Sequence, residues 1–463
     1  MKFAKFCTAG IVATLIGGGL CAGAQAAPWR LGQALGAPDW LVLGGSYRMR
    51  YETLDNPYRA GATGSDEILV ERLLLAAEAH TGDYYFGAEL EDSRSQADDA
   101  GTPLGTDDVN ALELLRAYAG YKAGDVFAAG DTFDIQAGRI TMDVGSRRFV
   151  ARNRFRNTIN AFTGVNALWR DGRDLTLQAF VTLPITREPG ERARLDANHP
   201  EFDNESFQTV FWGLHLTRDH LIGGASGEVY AFGLHEDDQA TVATRNRQLV
   251  TSGLRLIAKP ASGQWDYELE GAIQEGTSRA STAATDVTDL DHSARFFHAS
   301  VARTFDAAWS PRLVFQYDYA SGDKDPTDAK DNRFDTLYGA RRSEFGPTGI
   351  YGAFARSNIS SPGMRVEAKP SKVVGGFIGY RAVWLASNRD ALTSGSVRDA
   401  TGASGGFVGH QVEARLQYDI LPGNVRLEAG GAYLAHGHFL KTAPNGPREG
   451  DGTYLYAQAA ITF

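Results

Sequence analysis

From Leu41 onward the chain alternates with a period of two. Leu41, Leu43, Gly45, Tyr47, Met49 and Tyr51 fall on one side, and Ser46, Arg48, Arg50 and Glu52 on the other. Successive strand side chains point to opposite faces, so this pattern predicts a half-buried β-strand. It recurs along the sequence and predicts about 18 strands. They lie near 41–53, 68–80, 84–94, 111–122, 132–142, 160–170, 174–184, 207–217, 227–236, 249–258, 264–275, 294–304, 311–320, 356–369, 372–386, 407–419, 424–436 and 453–463.

Two features favour an all-β transmembrane antiparallel barrel over a soluble sandwich. The second face carries charge on nearly every strand: Asp266, Glu268 and Glu270 oppose Trp265, Tyr267 and Leu269, and Glu413 and Arg415 oppose Val412, Ala414 and Leu416. A sandwich would pack that face into an apolar core. The connections also alternate in length. Thr81-Gly82-Asp83, Asp171-Gly172-Arg173 and Leu421-Pro422-Gly423 are short; 95–109, 186–206, 276–292, 321–355, 387–406 and 437–452 are long. Short periplasmic turns with long outer loops are the usual barrel arrangement, and a barrel of about 18 strands leaves room for a water-filled lumen. No apolar run after the first 26 residues is long enough for a spanning helix.

The first 26 residues read as a secretory signal: Lys2 and Lys5, then apolar Gly10 to Leu20, then Ala24-Gln25-Ala26. Residues 27–463 are expected to be one barrel domain in the bacterial outer membrane. The last strand, Leu455, Ala457, Ala459, Ile461 and Phe463 on one face, has the form read by the barrel-insertion machinery. That machinery, outer-membrane lipid and lipopolysaccharide are expected partners; periplasmic partners are left open. Cys7 and Cys21 both lie in the leader, so the remaining chain has no disulfide and no thiolate metal site.

The net charge of −10 argues against nucleic acid. Of 46 basic residues only nine are lysine. Arginine stays charged and grips carboxylates through a bidentate fork. Strand parity turns Arg48, Arg50, Arg72, Arg116, Lys122, Arg365, Lys369, Arg381, Arg415 and Arg426 inward, beside Glu52, Glu78, Glu89, Glu91, Asp134, Asp318, Glu413 and Glu428. Ion-pair ladders across neighbouring strands are the competing account of any single one of these charges.

The densest arginine stretch is 138–157, with Arg139, Arg147, Arg148, Arg152, Arg154 and Arg156. Parity sends Arg139 toward lipid, at a cost of about 2–4 kcal/mol at the midplane. Either a bulge turns it inward or it sits near the rim, and a bulge at Ala137-Gly138 is the expected answer, because glycine within a strand often marks one.

Residues 138–165, 332–352 and 361–373 resemble the alginate-export family of outer-membrane barrels. The resemblance implies an 18-stranded barrel whose arginine constriction passes a polyuronate outward. It implies constriction roles for Arg48 or Arg50, Arg72, Arg116, Arg139 and Arg365, with Arg341 and Arg342 at a loop entrance. Arg381 joins the pore lining by parity; Arg147, Arg148, Arg152, Arg154 and Arg156 join the entrance. Glu89 and Glu91 are the counter-charges that keep any one site from holding a carboxylate too tightly.

An acidic polysaccharide or oligosaccharide is the expected solute. Two alternatives are a substrate-specific porin for uptake of acidic oligosaccharides or small organic anions, and a closed structural or adhesive barrel. No enzyme is expected, since none of the ten histidines sits in a nucleophile motif. No cofactor or metal is expected either; the acidic tracts 322–331 and 286–291 read as solvated loops. Segment 321–355 is long enough to fold into the lumen or cover its mouth, with Gly346-Pro347 and Gly349 as hinges.

Overall fold

A computed structural model describes residues 27–99, 101–239 and 242–463; the expected leader lies outside the described residues. The alternating stretches form β1 (Leu41–Asp55), β2 (Ser65–Thr81), β3 (Tyr84–Gln96), β4 (Asn110–Gly124), β5 (Thr132–Ile140), β6 (Phe162–Arg170), β7 (Leu175–Pro184), β8 (Thr209–Ile222), β9 (Ala225–Glu236), β10 (Gln248–Ala258), β11 (Trp265–Ser278), β12 (Leu290–Thr304), β13 (Arg312–Ala320), β14 (Lys330–Asp331), β15 (Ile359–Ala368), β16 (Val374–Trp384), β17 (Phe407–Leu421), β18 (Val425–His436) and β19 (Gly452–Thr462). The two-residue β14 pairs in parallel with Asp291 and His292 and belongs to a loop. The other eighteen make one antiparallel barrel, in which β13 pairs directly with β15. β1 closes the ring on β19, from Ser46 opposite Thr462 to Asp55 opposite Thr453. Closure pairs the strand backbones without leaving a sheet edge, which a hydrocarbon surround demands.

The faces are those the alternation predicts. Arg48, Arg50 and Glu52 are buried inside the barrel, while Met49 and Tyr51 are exposed outside it. Outward aromatics mark both membrane boundaries. Tyr84 against Tyr121 and Trp29 against Phe463 lie at the short-turn end, and Tyr51, Tyr317 and Tyr433 at the long-loop end. Such girdles are characteristic of outer-membrane barrels.

The interior differs from an open, water-filled lumen. Two loop segments, 141–161 after β5 and 321–358 after β13, turn into the barrel. They carry Phe149 and Phe334 against wall residues Tyr230, Phe232 and Phe296, with Phe149 and Phe296 edge-on at 5.5 Å. Tyr338 packs against Phe162 and Phe211 in the same way. An apolar cluster therefore fills part of the space on the β6–β13 side, because these wall strands point aromatic side chains inward where the infolded segments meet them.

No bulge occurs at Ala137-Gly138. The pairing of β4 with β5 and of β5 with β6 runs unbroken through Gly138. The irregularity lies between β3 and β4, where Glu89 pairs with Arg116 and Leu90 with Leu114. Arg139 sits next to the last residue of a short strand. Its guanidinium reaches Glu113 and, in the loop after β7, Glu205 at 2.9 Å and the Asp203 carbonyl at 3.1 Å. The arginine is neutralised at the outer rim, so it is spared the hydrocarbon without a change of register.

Candidate functional site

The first infolded segment is held by wall arginines. Arg48 donates to the carbonyls of Arg154 (2.8 Å), Phe155 (3.0 Å) and Arg156 (2.9 Å), and to Asn157 Oδ1 (2.9 Å). Arg50 donates to the Phe155 carbonyl and to Glu52, both at 2.6 Å. Arg72 donates to the carbonyls of Arg156 (3.1 Å) and Asn157 (3.2 Å). A guanidinium offers five donors, which suits a run of loop carbonyls. These three expected pore-lining residues are buried, and their donors are directed at the segment.

The second segment docks on the first through backbone contacts. The Tyr338 N–H donates to the Phe149 carbonyl (2.9 Å), the Ala151 N–H to the Tyr338 carbonyl (3.1 Å) and the Ala340 N–H to the Arg147 carbonyl (2.9 Å). Gly339 permits this approach, because a Cβ there would lie 1.6 Å from the Arg148 carbonyl oxygen. Gly349 plays the same part against the wall: a Cβ would lie 1.8 Å from Glu52, whose carboxylate accepts from the Ile350 N–H and the Tyr454 hydroxyl, both at 2.9 Å.

Buried charges join the two segments. Arg148 donates to Glu268 and Glu270 of β11 and lies 3.2 Å from Glu344. Burial works against its charge, but Glu344, Glu270 and Glu268 more than offset it and hold the guanidinium firmly protonated. Burial would likewise raise Glu344; Arg356 and Arg148 outweigh it and keep that carboxyl ionised. Arg342, in the short helix Arg342–Phe345, donates to Glu413 at 2.5 Å. The Phe155 ring has Arg50 over it at 4.3 Å and Arg342 at 4.8 Å.

An open space lies against β3 and β4. A polar cavity of about 340 Å³ is lined by Glu89, Arg116, Thr141, Met142, Asp143, Arg152 and Arg154. Glu89 accepts from Arg116 and from Arg152, each at 2.6 Å. Arg154 has 57% of its side chain exposed and lies 2.7 Å from Asp143. Three guanidiniums thus face two carboxylates, a net positive surface with ready-made competitors for each arginine.

The remaining expected residues are dispersed. Arg147 is exposed on the infolded segment. Arg156 binds Asp107 at 2.7 Å, and Arg187 binds the same carboxylate at 2.6 Å. Burial opposes this ionisation, yet the two guanidiniums bring Asp107 down to about 2. Next to it, burial and the charge of Asp107 push Asp108 up to about 7. Glu91 is fully buried, with Ser93 donating to it at 2.9 Å, and does not line the cavity. Arg341 lies beside Gly352, and burial depresses its pKa. Arg365 donates to the Ser343 carbonyl at 3.2 Å; Arg381 is buried on Ser361 (2.8 Å) and Asp318 (3.3 Å). Phe155, Asp143, Glu344 and Arg356 were not anticipated. The alternation of arginine with apolar residues in Arg147-Arg148-Phe149 and Arg154-Phe155-Arg156 was the available signal for the first of them.

A closed eighteen-stranded barrel with girdles at both ends and a charged passage defines an outer-membrane channel. A family model described as alginate export matches residues 39–450, and the chain belongs to that family. No curated protein sequence matches the chain. Among solved structures, it is similar to a BenF-like porin from Pseudomonas fluorescens Pf-5, at 12% identity and a TM-score of 0.57, covering 91% of this chain and 99% of that one. It is also similar to OpdK with vanillate from Pseudomonas aeruginosa, at 12% identity and 0.56, covering 91% and 98%. OpdQ from Pseudomonas aeruginosa follows at 13% and 0.55, covering 91% and 97%. These structures share the fold.

Proposed function

We propose that this channel passes an acidic polysaccharide of the alginate type outward, one uronate after another, along the arginine-bearing side of the lumen. The observation that carries this reading is the cavity in which Arg116, Arg152 and Arg154 stand against Glu89 and Asp143. A uronate carboxylate entering it exchanges hydration for guanidinium contacts. The resident carboxylates compete for those contacts, so binding stays weak enough for the chain to move on. Membership of the alginate-export family supports the polymer as solute. Catalysis has no part in this reading, since neither the family nor the similar structures are enzymes.

A second reading is uptake of acidic oligosaccharides or small organic anions. It is favoured by the apolar cluster that narrows the lumen, and by the vanillate in the similar OpdK structure. Both readings require anion preference. Single-channel recording under a salt gradient, then with added oligomannuronate, tests them. Anion preference with reversible block by the oligomer is expected for a uronate path in either direction. Anion preference with block by small aromatic acids alone would favour uptake, and cation preference would overturn both.

A further inference from the structure

Further round the barrel from the cavity, below the helix Arg342–Phe345, three inward residues of neighbouring strands come together near the short-turn end. Arg365 of β15 lies three residues before the end of its strand, and Phe377 of β16 three residues after its beginning. Arg415 of β17 pairs directly with Phe377, while Arg365 pairs with Gly379. The Arg415 guanidinium carbon is 4.9 Å from the Phe377 ring centre, and that of Arg365 is 5.3 Å from it. One aromatic ring therefore holds two guanidiniums by its negative faces.

The pair is under-neutralised. Arg365 has Glu367 within 2.8 Å, but Arg415 has no carboxylate within 4 Å among the described residues. Its Nε is buried and lacks an acceptor. Several other arginines of the lumen have an acid partner, Arg342 with Glu413, Arg148 with three glutamates and Arg426 with Asp419, while Arg48 and Arg72 lack one among the described residues but are taken up by loop carbonyls. Gly379 and Gly363, also on this part of the wall, add no side chains to fill the space above the ring. Lys369 and Lys372, both exposed, flank the turn below.

We infer that Arg365, Phe377 and Arg415 form a carboxylate-binding clamp in the periplasmic vestibule. It takes a uronate carboxylate, or a small dicarboxylate, before the solute reaches the cavity of Arg116, Arg152 and Arg154. The two guanidiniums supply charge-assisted donors and the ring holds them apart, with Glu367 answering only Arg365. This inference deepens the reading above for solutes arriving from the periplasm, and rests on it only for the identity of the solute.

The test is block of single channels by trimannuronate and, separately, by glutarate, added to each side in turn, for wild type, Arg415→Gln, Phe377→Leu and Arg426→Gln. Arg426→Gln removes the same charge from the same vestibule but leaves the clamp intact. Losing one charge-assisted contact should weaken periplasmic-side block about tenfold in Arg415→Gln, more than block from the outer side. Phe377→Leu should weaken it in the same direction, and Arg426→Gln should stay near wild type. Equal loss in Arg415→Gln and Arg426→Gln, or equal loss from both sides, would overturn the clamp. So would a wild-type channel that neither probe blocks from the periplasmic side. Block of wild type by glutarate but not by trimannuronate would sink the polyuronate reading and leave the clamp standing.

Discussion

Arg148 of the first infolded segment lies 3.2 Å from Glu344 of the second, and Arg356 donates to the same carboxylate. Beside the backbone hydrogen bonds between the two loops, this one carboxylate adds a charged tie across the lumen. In Glu344→Gln, Arg148 keeps Glu268 and Glu270, whereas Arg356 keeps only the carbonyls of Arg148 and Ala340. Breaking a buried pair outright costs about 3–5 kcal/mol, and the remaining partners should hold the loss below that. The expected result is a channel that visits larger conductance levels, with the second segment cut more readily by protease. A quiet channel with wild-type conductance would show that 321–358 does not depend on this tie.

Arg48, Arg50 and Arg72 give a second test, because their contacts are with loop carbonyls. Hydrogen bonds from charged donors contribute about 1.5–3 kcal/mol each. Arg48→Ala and Arg72→Ala should lower the temperature at which the detergent-solubilised barrel unfolds, and should make the open current noisier. If they weakened oligomannuronate block while melting temperature and noise stayed at wild type, these arginines would be solute ligands rather than anchors.

The wall of this barrel is legible in its sequence because one face must meet lipid and the other does not. The stretch 424–436 contains the observed Val425–His436, and 407–419 falls within Phe407–Leu421, since alternation runs cleanly to the ends of both. Parity also turned Arg48, Arg72 and Glu89 inward correctly. Parity alone misplaces Arg139 in lipid for a physical reason: one residue before the end of β5 its long side chain reaches Glu113 and the outer loop at the rim. The infolded segments carry no period at all. Phe149, Phe334 and Phe345 sit in loop sequence, and only tertiary packing decides whether such loops stand outside or fill the lumen. The cavity was half legible. Arg116 and Glu89 are wall residues; Arg152, Arg154 and Asp143 join them only through the path of the loop.

The charge pattern of the cavity predicts opposite effects for its two signs. Arg154→Gln removes the most exposed guanidinium and should reduce anion preference. Glu89→Gln removes the acceptor shared by Arg116 and Arg152 and frees both for solute. It should therefore raise anion preference and lengthen each blocking event by oligomannuronate. Reversal potentials and block durations report these two quantities. A fall in anion preference in Glu89→Gln would mean that the glutamate serves mainly to position its arginines.

Asp108 is expected to make the mouth pH-dependent. Burial and neighbouring Asp107 raise it from the ordinary carboxylate range to about 7. A carboxyl raised on folding adds stability that is fully present below its unfolded value near 4 and is lost as pH climbs through the folded value. The loop between β3 and β4, whose Gly105 N–H donates to Asp108 at 3.2 Å, should thus be held most firmly in acid and loosen between pH 5 and 8. The same loop touches the infolded segment, because the Asp108 carbonyl accepts from Asn157 at 2.8 Å. Hydrogen exchange across residues 101–110 should quicken over that range beyond the intrinsic pH effect. Asp108→Asn should flatten the excess. If wild type and Asp108→Asn show the same pH profile, Asp108 is not the titrating group.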